Sequence, residues 1–599
     1  MKFKHPKMVE LRDQIKIGRM LPQALLTWGE KRLGLHALNV AHEHIDCDWD
    51  DGCEDNFFHL ACKYLNLQYD LTGLENIPKE GPCVVVSNHP HGMSDGLMFG
   101  DIVMKVRQDI RIVVNEFLEC VRGMRPYEIT VDVYGGEAAK RANMAGMREI
   151  LRWLKAGHCI LVFPSGSAAT YSRQDGRVID DPWQENISTI IRKTGATVVP
   201  MHISGRTGIF FQVVSMISRG LRSNFLAREI LRDGRMRHSI CLGPAIPPTT
   251  YGARETDAAL SDYLRLRTML LSYNKQAGHA TSSLTHAAPL AEHEPPHLLQ
   301  QEIAALPQES LCYKSDTGPL WVYVASAAQI PHLLREIGIE RERSFRNVSE
   351  GTGRPYDLDE CDYYYEHLIM WDHKENRLAG AYRMGHTDKI LKERGAKGLY
   401  NSAFFRFRKP LLRTLAHGLE MGRAFIVPEY QRLSASLDTL WMGIGRYLNR
   451  HSEHSLLFGT VSISQDYSPA SRALLLSYLQ QNCMDPELTP YVSPCFPADK
   501  EALRSEDARL LPTAVPDIRA LAALVSELEG GKRGIPVLLK QYLRLGGRML
   551  SFGIDRNFGN SLDCLVIVSL SDTPDRIIQR YRGKDYCTGS DCTHTASPS

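Results

Sequence analysis

Short apolar segments alternate with helical patterns through the first 275 residues, and this alternation constrains the fold more than any other feature of the chain. Patterns that predict helices begin near Ser94 and run across 137–155 and 185–193. Strand–helix alternation is typical of a sheet covered by helices. In such sheets, catalytic groups collect in the loops that follow the strands. The predicted strands cover 83–87, 110–114, 129–134, 159–163, 197–204 and 239–243.

A second folded region is predicted after residues 276–310, a stretch rich in Ala, Ser, His and Pro that predicts a linker. Beyond it, two strands separated by the polar turn DHKENR predict a hairpin. Helices over 437–448 and 469–481 alternate with further strands. We therefore predict an α/β chain of two domains, one over 1–275 and one over 311–587. The strands predicted in the second domain cover 367–371, 378–384, 403–407, 424–427 and 456–463.

Composition limits the classes of function. The chain of 599 residues has room for several domains. Lys and Arg total 71 against 69 Asp and Glu, and a formal charge of +2 predicts no nucleic-acid partner. The 14 Cys contain no CxxC pair, which predicts reduced thiols in a cytoplasmic protein.

The N-terminal segment bears on whether the chain spans or binds a membrane. No run reaches the roughly eighteen apolar residues of a spanning helix, and the first residues lack the apolar core of a secretory signal. Residues 1–32 hold eight Lys and Arg against three Asp and Glu, with Met8, Leu11 and Ile15 at helical spacing. A helix of this kind either lies on the inner face of the cytoplasmic membrane or packs on the first domain, and the sequence leaves both open.

A histidine-rich turn follows the first predicted strand, in the run SNHPHGMSDG at 87–96. A His and a carboxylate on one turn suit a general base whose ring is oriented by an acid. His91 stands four residues before Asp95 and His89 stands six before it. Spacing alone does not choose between the two histidines, and it does not exclude a structural pair.

Two further segments extend this motif: FPSGS at 163–167 and VPMHISGR at 199–206. In this order, the three motifs resemble the glycerolipid acyltransferase family, whose haemolysin-like branch carries N-H-P-x-G-x-x-D/E-G. The resemblance covers about residues 70–250 and implies an acyltransferase fold.

The same resemblance implies roles for five residues of the first domain. His89 would be the base and Asp95 its partner. Substrate binding would fall to Ser165, Gly166 and Arg206. Ser165 stands where the common family motif F-P-E-G-T has a Glu.

An apolar segment lies beside a basic one near the end of this domain. Residues 209–217 are almost all apolar, and 219–237 contain six Arg. Such a surface suits a membrane lipid surface or an acidic acyl carrier protein. The alternative is a core helix with a solvated basic end.

The second domain carries Glu420 followed by Gly422 and Arg423. With Arg343, Arg383 and the run FGTVS at 458–462, these residues resemble the ornithine lipid N-acyltransferases, which are similar to acyl-homoserine lactone synthases and the N-acetyltransferase fold. The likeness extends over about residues 315–583. The pyrophosphate-loop pattern R/Q-x-x-G-x-G/A of acetyl-CoA enzymes is not met after Tyr430, because Ser434 and Ser436 stand where the small glycines belong. By analogy, this favours acyl carrier protein as donor.

Several side chains of this domain are candidates for chemistry. Glu420 would serve as base for an amine acceptor, or as a structural partner of Arg423. Arg343, Arg383 and Arg423 would bind the substrate, with a carboxylate of an amino-acid acceptor such as ornithine as the expected ligand, or form ordinary ion pairs.

Two acyltransferase-like domains on one chain predict sequential acylation. The domain order resembles that of the bifunctional ornithine lipid synthases. This resemblance implies that the second domain joins a 3-hydroxyacyl chain to the α-amine of ornithine and that the first domain then acylates the 3-hydroxyl. No metal or cofactor is expected beyond the acyl carrier protein that delivers the chain. The alternatives are a lysophospholipid acyltransferase with a non-catalytic second domain, and a lipid-binding scaffold without turnover.

Overall fold

The computed structural model describes residues 23–32, 34–50, 53–115, 122–131, 137–217, 226–252, 254–274, 287–315, 318–431 and 433–583. The chain forms two compact units. The first unit comprises the chain up to residue 276 together with Arg504–Pro516, and the second comprises the remainder. The N-terminal segment 1–22, the basic run 218–225 and the tail after 583 lie outside the described residues.

The first unit is built on a seven-stranded sheet in the order β1-β9-β8-β2-β5-β3-β4. Neighbouring strands are parallel except for the antiparallel pair β8 and β9. The valines of β2 are fully buried because this central strand has sheet neighbours on both sides and helices on both faces. The strands are β1 (Gln68–Thr72), β2 (Cys83–Ser87), β3 (Ile110–Asn115), β4 (Glu128–Val131), β5 (Cys159–Val162), the separate hairpin β6 (Thr170–Ser172) and β7 (Arg177–Ile179), β8 (Thr197–Ile203) and β9 (Arg237–Leu242).

The helices of the first unit follow the alternation that the sequence predicts. They are α1 (Gln23–Arg32), α2 (Leu35–Asp50), α3 (Phe57–Tyr64), α4 (Met93–Met104), α5 (Glu137–Lys155), α6 (Asn186–Thr194), α7 (Ile209–Ile217), α8 (Leu226–Asp233), α9 (Pro248–Tyr251) and α10 (Asp257–Leu270).

The second unit is built on an eight-stranded sheet in the order β10-β11-β12-β13-β15-β16-β19-β18. All neighbours are antiparallel except β15 and β16, which are parallel. The strands are β10 (Leu311–Lys314), β11 (Leu320–Ser326), β12 (Glu366–Asp372), β13 (Arg377–His386), the separate pair β14 (Phe405–Phe407) and β17 (Val492–Pro494), β15 (Gly418–Ile426), β16 (Leu456–Ile463), β18 (Arg548–Asp555) and β19 (Ser561–Ser569).

Helices pack around this second sheet, so the prediction of two α/β domains is confirmed. They are α11 (Pro296–Ala305), α12 (Pro331–Arg346), α13 (Thr387–Arg394), α14 (Lys409–Leu415), α15 (Ser434–Arg450), α16 (Pro469–Asn482), α19 (Ile518–Leu528), α20 (Val537–Arg544) and α21 (Asp575–Arg582), with α17 (Ser505–Ala508) and α18 (Leu511–Ala514) belonging to the first unit.

The unit boundaries differ from the sequence-based division in two places. The segment carrying α17 and α18, placed by sequence within 311–587, is bonded to the first unit: Tyr273 donates to Asp507 at 2.7 Å, and Arg509 pairs with Asp175. Part of the predicted linker 276–310 forms α11, where the Glu302 carboxylate accepts backbone N–H groups from the start of α12. Both segments gain order from tertiary contacts that a local pattern does not contain.

Among the residues that the structure describes, no helix combines the length and the apolar character needed to cross a membrane.

Candidate active site

Three loops meet at one edge of the first sheet, because β5, β2 and β8 are adjacent and parallel. The loop after β2 carries the histidine-rich turn. Asn88 locks this turn to β8, since its side chain exchanges hydrogen bonds of 2.8 and 2.9 Å with the backbone of Ile203. Ala169, beyond β5, donates its N–H to the carbonyl of His89 at 2.8 Å.

His89 and Asp95 form a close pair at this edge. The Nδ1 of His89 lies 3.0 Å from Oδ2 of Asp95, which is fully buried in the first turn of α4. The same oxygen accepts the N–H groups of His91 and Gly92, at 2.7 and 2.9 Å. Within the described part of the chain, Nε2 of His89 makes no hydrogen bond. This geometry suits a general base, because the outer nitrogen is open to a proton.

Two further contacts fix the orientation of the His89 ring. It stacks on Phe163 with ring centroids 4.1 Å apart, and its backbone N–H donates to Asp180 at 3.1 Å. Burial raises the pKa of Asp180 to about 6, although the His89 N–H favours the charged form. The sequence motif gave no signal for Asp180, which lies 91 residues further along the chain.

His91 lies in a different environment from His89. Its Nδ1 lies 3.1 Å from Oδ1 of Asp233 and its Nε2 lies 3.1 Å from the carbonyl of Ser204, and the side chain is fully buried. Gly205 has φ +118°, and a Cβ there would lie 2.4 Å from Nε2 of His91. Both ring nitrogens are therefore engaged by the protein, which favours His89 over His91 as the base.

The pair of His91 and Asp233 predicts a pH-dependent stability. Burial lowers the pKa of His91, but the hydrogen bond to Asp233 and the carboxylates of Asp95 and Asp233 outweigh it and raise the pKa from 6.5 to about 9. A raised histidine pKa stabilises the folded state fully below the ordinary pKa, and this contribution is lost as the pH rises through about 9. We expect it to amount to about 3 kcal/mol in the free energy of unfolding.

The measurement is the free energy of unfolding by denaturant for wild type and Asp233→Asn, from below pH 6.5 to above pH 9. The difference in stability between the two should shrink as the pH rises. Asp70→Asn, at an exposed ion pair with Arg237, is the matched control and should show no such trend. A difference that stays constant with pH would contradict the assignment of a charged His91.

The predicted substrate-binding residues of the first unit have varied surroundings. Ser165 is buried and its hydroxyl donates to the carbonyl of Ser167 at 3.0 Å. Gly166 has φ +68°, the left-handed region that this turn requires. Arg206 is exposed, and its carbonyl accepts a hydrogen bond from Arg232. The structure thus places Ser165 and Gly166 within the turn after β5 and Arg206 in the loop after β8.

The second unit has an opening in its sheet between β15 and β16. The two strands pair in register only from Gly418 opposite Leu456 to Met421 opposite Gly459, although both continue further. Beyond that point, no described residue pairs in register with the edge of β16 that faces β15. Backbone groups released by diverging strands are available to a ligand.

Two buried arginines, Arg341 and Arg383, and the partly buried Arg423 cluster beside this opening with three aspartates. Arg341 is bonded through all three of its nitrogens to Asp357 and Asp362. Arg383 pairs through Nη1 with Asp359 at 2.7 Å and Asp362 at 3.0 Å. Arg423 lies 3.2 Å from Asp357. The charges of the three arginines are thereby matched.

Arg383 and Arg423 nevertheless retain N–H groups that are available to a ligand. In the described part of the chain, Nε and Nη2 of Arg383 and Nε of Arg423 are buried without a hydrogen-bond partner. Both guanidinium groups lie over the ring of Tyr400, at 4.6 and 5.1 Å from its centroid. Arg423 has φ +51° at an irregularity in the pairing of β13 with β15, a strained conformation of the kind that clusters at functional sites. Unused guanidinium donors suit a carboxylate ligand.

Glu420 is buried beside this cluster with its oxygens occupied. Its carboxylate accepts the hydroxyl of Tyr365, the N–H of Tyr400, and both the N–H and side-chain amide of Asn401, the last two at 2.8 and 2.7 Å. Burial raises its pKa, while these four donors stabilise the charged form. The arrangement suits a residue that holds the 400–401 turn in place.

The structure does not bring Arg343 to the cluster. Its guanidinium pairs with Glu340 and Glu429, both at 2.7 Å. Arg341, two residues earlier, is the cluster member instead, and neither Arg341 nor its aspartate partners were predicted from the sequence. The helical period was the signal that could have pointed to Arg341. Arg341 and Phe345 lie one turn apart on α12, so they share one face of that helix.

Among the described residues, two groups of side chains in the second unit have the composition of metal ligands. The ligand atoms of His386, Asp388 and His454 lie within 4.8 Å of one another. However, the two histidines already approach at 2.8 Å, a hydrogen-bond distance, and the other nitrogen of His386 lies 3.2 Å from Glu366. The second group is His293, Glu336 and Glu340.

Comparison with known proteins agrees with this division of the chain. Residues 11–278 match the acyltransferase family, and residues 341–442 match the acetyltransferase (GNAT) domain. The chain is 28% identical to the lyso-glycine lipid O-acyltransferase of Phocaeicola vulgatus over 35% of this chain and 75% of that protein.

Two N-acyltransferases are also similar. The glycine N(alpha)-acyltransferase of Bacteroides thetaiotaomicron is 30% identical over 42% of this chain and 77% of that protein. The L-ornithine N(alpha)-acyltransferase of Agrobacterium fabrum is 25% identical over 41% of this chain and 77% of that protein.

The two family matches and these relatives define the protein as an acyltransferase with an N-terminal acyltransferase domain and a C-terminal GNAT domain. By its likeness to the Bacteroides protein, the chain belongs to the family of the glycine N(alpha)-acyltransferases.

Proposed function

We propose that the protein is a bifunctional aminolipid synthase that makes ornithine lipid from ornithine and two acyl chains delivered by acyl carrier protein. The observation that carries this proposal is the presence of two acyltransferase domains of different fold on one chain. Relatives named for N-acylation of an amino acid and for O-acylation of the resulting lyso-lipid support the same pair of reactions.

The second unit would carry out the first reaction. The α-amine of ornithine attacks the thioester carbonyl of a 3-hydroxyacyl chain, so that a C–N bond forms and the C–S bond breaks. The amine proton leaves with the thiol of the acyl carrier protein. The free donors of Arg383 and Arg423 would hold the acceptor carboxylate, and Glu420 would act as a positioning residue through Tyr400 and Asn401.

The first unit would carry out the second reaction. Nε2 of His89 takes the proton of the 3-hydroxyl as its oxygen attacks a second thioester, forming a C–O bond as the C–S bond breaks. The buried carboxylate of Asp95 stabilises the imidazolium that forms. The imidazolium then returns its proton to the departing thiolate.

An exposed apolar face supports a peripheral position on the membrane. Ile209, Phe210 and Val213 of α7 are exposed, and Arg228 lies over the Phe210 ring at 4.9 Å. Apolar side chains beside guanidinium groups suit an interface of anionic lipid, where both products would partition.

The experiment that tests the proposal uses purified full-length protein. It is supplied with ornithine and a 3-hydroxyacyl chain on either acyl carrier protein or coenzyme A, and the products are followed by mass spectrometry. We expect N-acylornithine first and its O-acylated form second, with the carrier-protein donor preferred. Acylation of lysophosphatidic acid without any reaction of ornithine would instead favour a single-activity lysophospholipid acyltransferase.

A further inference from the structure

Three buried carboxylates lie near Arg423, and none of them forms an ion pair within the described part of the chain. Glu350 follows α12, Asp555 ends β18 and Asp563 lies in β19, and each is less than a tenth exposed. Arg423 lies 5.0 Å from the ring of Phe558, in the turn between β18 and β19, and a Cβ on Gly559 of that turn would lie 3.5 Å from Cα of Glu350. The charge of Arg423 acts to lower the pKa of all three carboxylates. Because Arg423 is already paired with Asp357, the three carboxylates form a buried, uncompensated acidic cluster.

The other arginines nearby do not neutralise this cluster, because each is paired with a different carboxylate. Arg472 is paired with Glu501 at 2.7 Å and Arg533 with Asp466 at 3.0 Å. Asp563 accepts the hydroxyls of Ser462 and Ser561, both at 2.9 Å and both on Oδ1.

Glu350 is the least satisfied member of the cluster. In the described part of the chain, no hydrogen bond reaches its carboxylate, although it is only 8% exposed. Burial, followed by repulsion from Asp563 and Asp466, raises the pKa of Glu350 to about 8. Burial and repulsion from Asp555 raise the pKa of Asp563 to about 7. Buried carboxylates are stable as anions only when a cation joins them, so the arrangement lacks a positive ligand.

The cluster and the arginine site are joined through Arg423. On one side Arg423 shares the ring of Tyr400 with Arg383, whose Nε and Nη2 are buried and unpartnered in the described structure. On the other side, Arg423 lies 5.0 Å from the ring of Phe558, which is in the turn between Asp555 and Asp563. A ligand with a carboxylate at one end and an ammonium at the other would satisfy both sides.

We propose that Glu350, Asp555 and Asp563 bind the side-chain ammonium of the acceptor amino acid while Arg383 and Arg423 bind its carboxylate. The inference rests on the proposed N-acyl transfer and identifies its acceptor as a diamino acid. Glycine lacks the second ammonium and would leave the acidic cluster uncompensated, so the same residues select against it.

The test compares L-ornithine with L-norvaline, which has the same carbon skeleton without the terminal amine. Initial rates of N-acylation are measured on the full chain with 3-hydroxyacyl carrier protein as donor. For wild type we expect kcat/KM for ornithine to exceed that for norvaline by roughly 100-fold or more. Glu350→Gln and Asp563→Asn should each bring the ratio to within about tenfold through loss on ornithine.

Matched controls separate this inference from the proposed function. Glu375→Gln, in the exposed turn between β12 and β13, should leave the ratio unchanged. Wild type that uses norvaline or glycine as well as ornithine would overturn the diamino-acid inference and leave N-acyl transfer standing. Absence of N-acylation with every amino acid would overturn the proposed function itself. Equal loss on ornithine and norvaline in folded Glu350→Gln and Asp563→Asn would assign the cluster a structural role and overturn the subsite.

Discussion

Replacement of His89 by alanine is expected to lower O-acylation by roughly a thousandfold while N-acylation continues. The physical reason is the loss of Nε2, the ring nitrogen left open once Asp95 holds Nδ1 at 3.0 Å. Cells that express His89→Ala should therefore accumulate the lyso-lipid. The measurement is the rate of O-acylation of supplied N-(3-hydroxyacyl)ornithine, with the rate of N-acylation recorded on the same protein.

The two activities on one chain provide the control for this variant. Retained N-acylation shows that the second unit is active, and unchanged denaturant unfolding of the first unit excludes a fold defect. Asp95→Asn should also lose O-acylation, because its amide no longer stabilises the imidazolium. Retention of O-acylation in folded His89→Ala would assign the base to another residue.

Replacement of Arg383 by lysine is expected to lower N-acylation by about a hundredfold or more. Lysine keeps the charge that pairs with Asp359 and Asp362. It removes the planar fork whose Nε and Nη2 are free to bind the acceptor carboxylate. Most of the loss should appear in KM for the amino acid if Arg383 binds substrate.

Arg341→Lys is the matched comparison, because Arg341 is equally buried but has every nitrogen bonded within the protein. This change should lower the free energy of unfolding and leave KM for ornithine nearly constant in the folded fraction. Equal changes in KM in the two variants would contradict a substrate-binding role for Arg383.

Local pattern was sufficient to predict the architecture near the histidine site. The apolar run at β2 is buried on both faces, and the start of the helix that follows is fixed by local hydrogen bonds from the N–H groups of His91 and Gly92 to Asp95. His89 and Asp95 are six residues apart, so a local sequence motif is enough to identify them as a candidate pair. The choice between His89 and His91 depended on Asp233, which is 142 residues from His91 and has no local signal.

Long-range packing explains what the sequence did not predict. The basic and acidic residues of the second unit are common on solvated surfaces, and composition does not reveal which are buried. Arg343 and Arg341 lie on the same helix, but only Arg341 faces the aspartates. The acidic cluster brings together the segment after α12, the end of β18 and a residue of β19, and Glu350 and Asp563 are more than 200 residues apart in the chain.

Lipid mass spectrometry tests the central claim most directly. The full-length chain is expressed in a host that makes no aminolipids, beside His89→Ala and an empty vector. The account predicts a new diacylated ornithine lipid with wild type and its lyso form alone with His89→Ala. No new aminolipid from folded wild-type protein, or a diacylated product from His89→Ala, would contradict it.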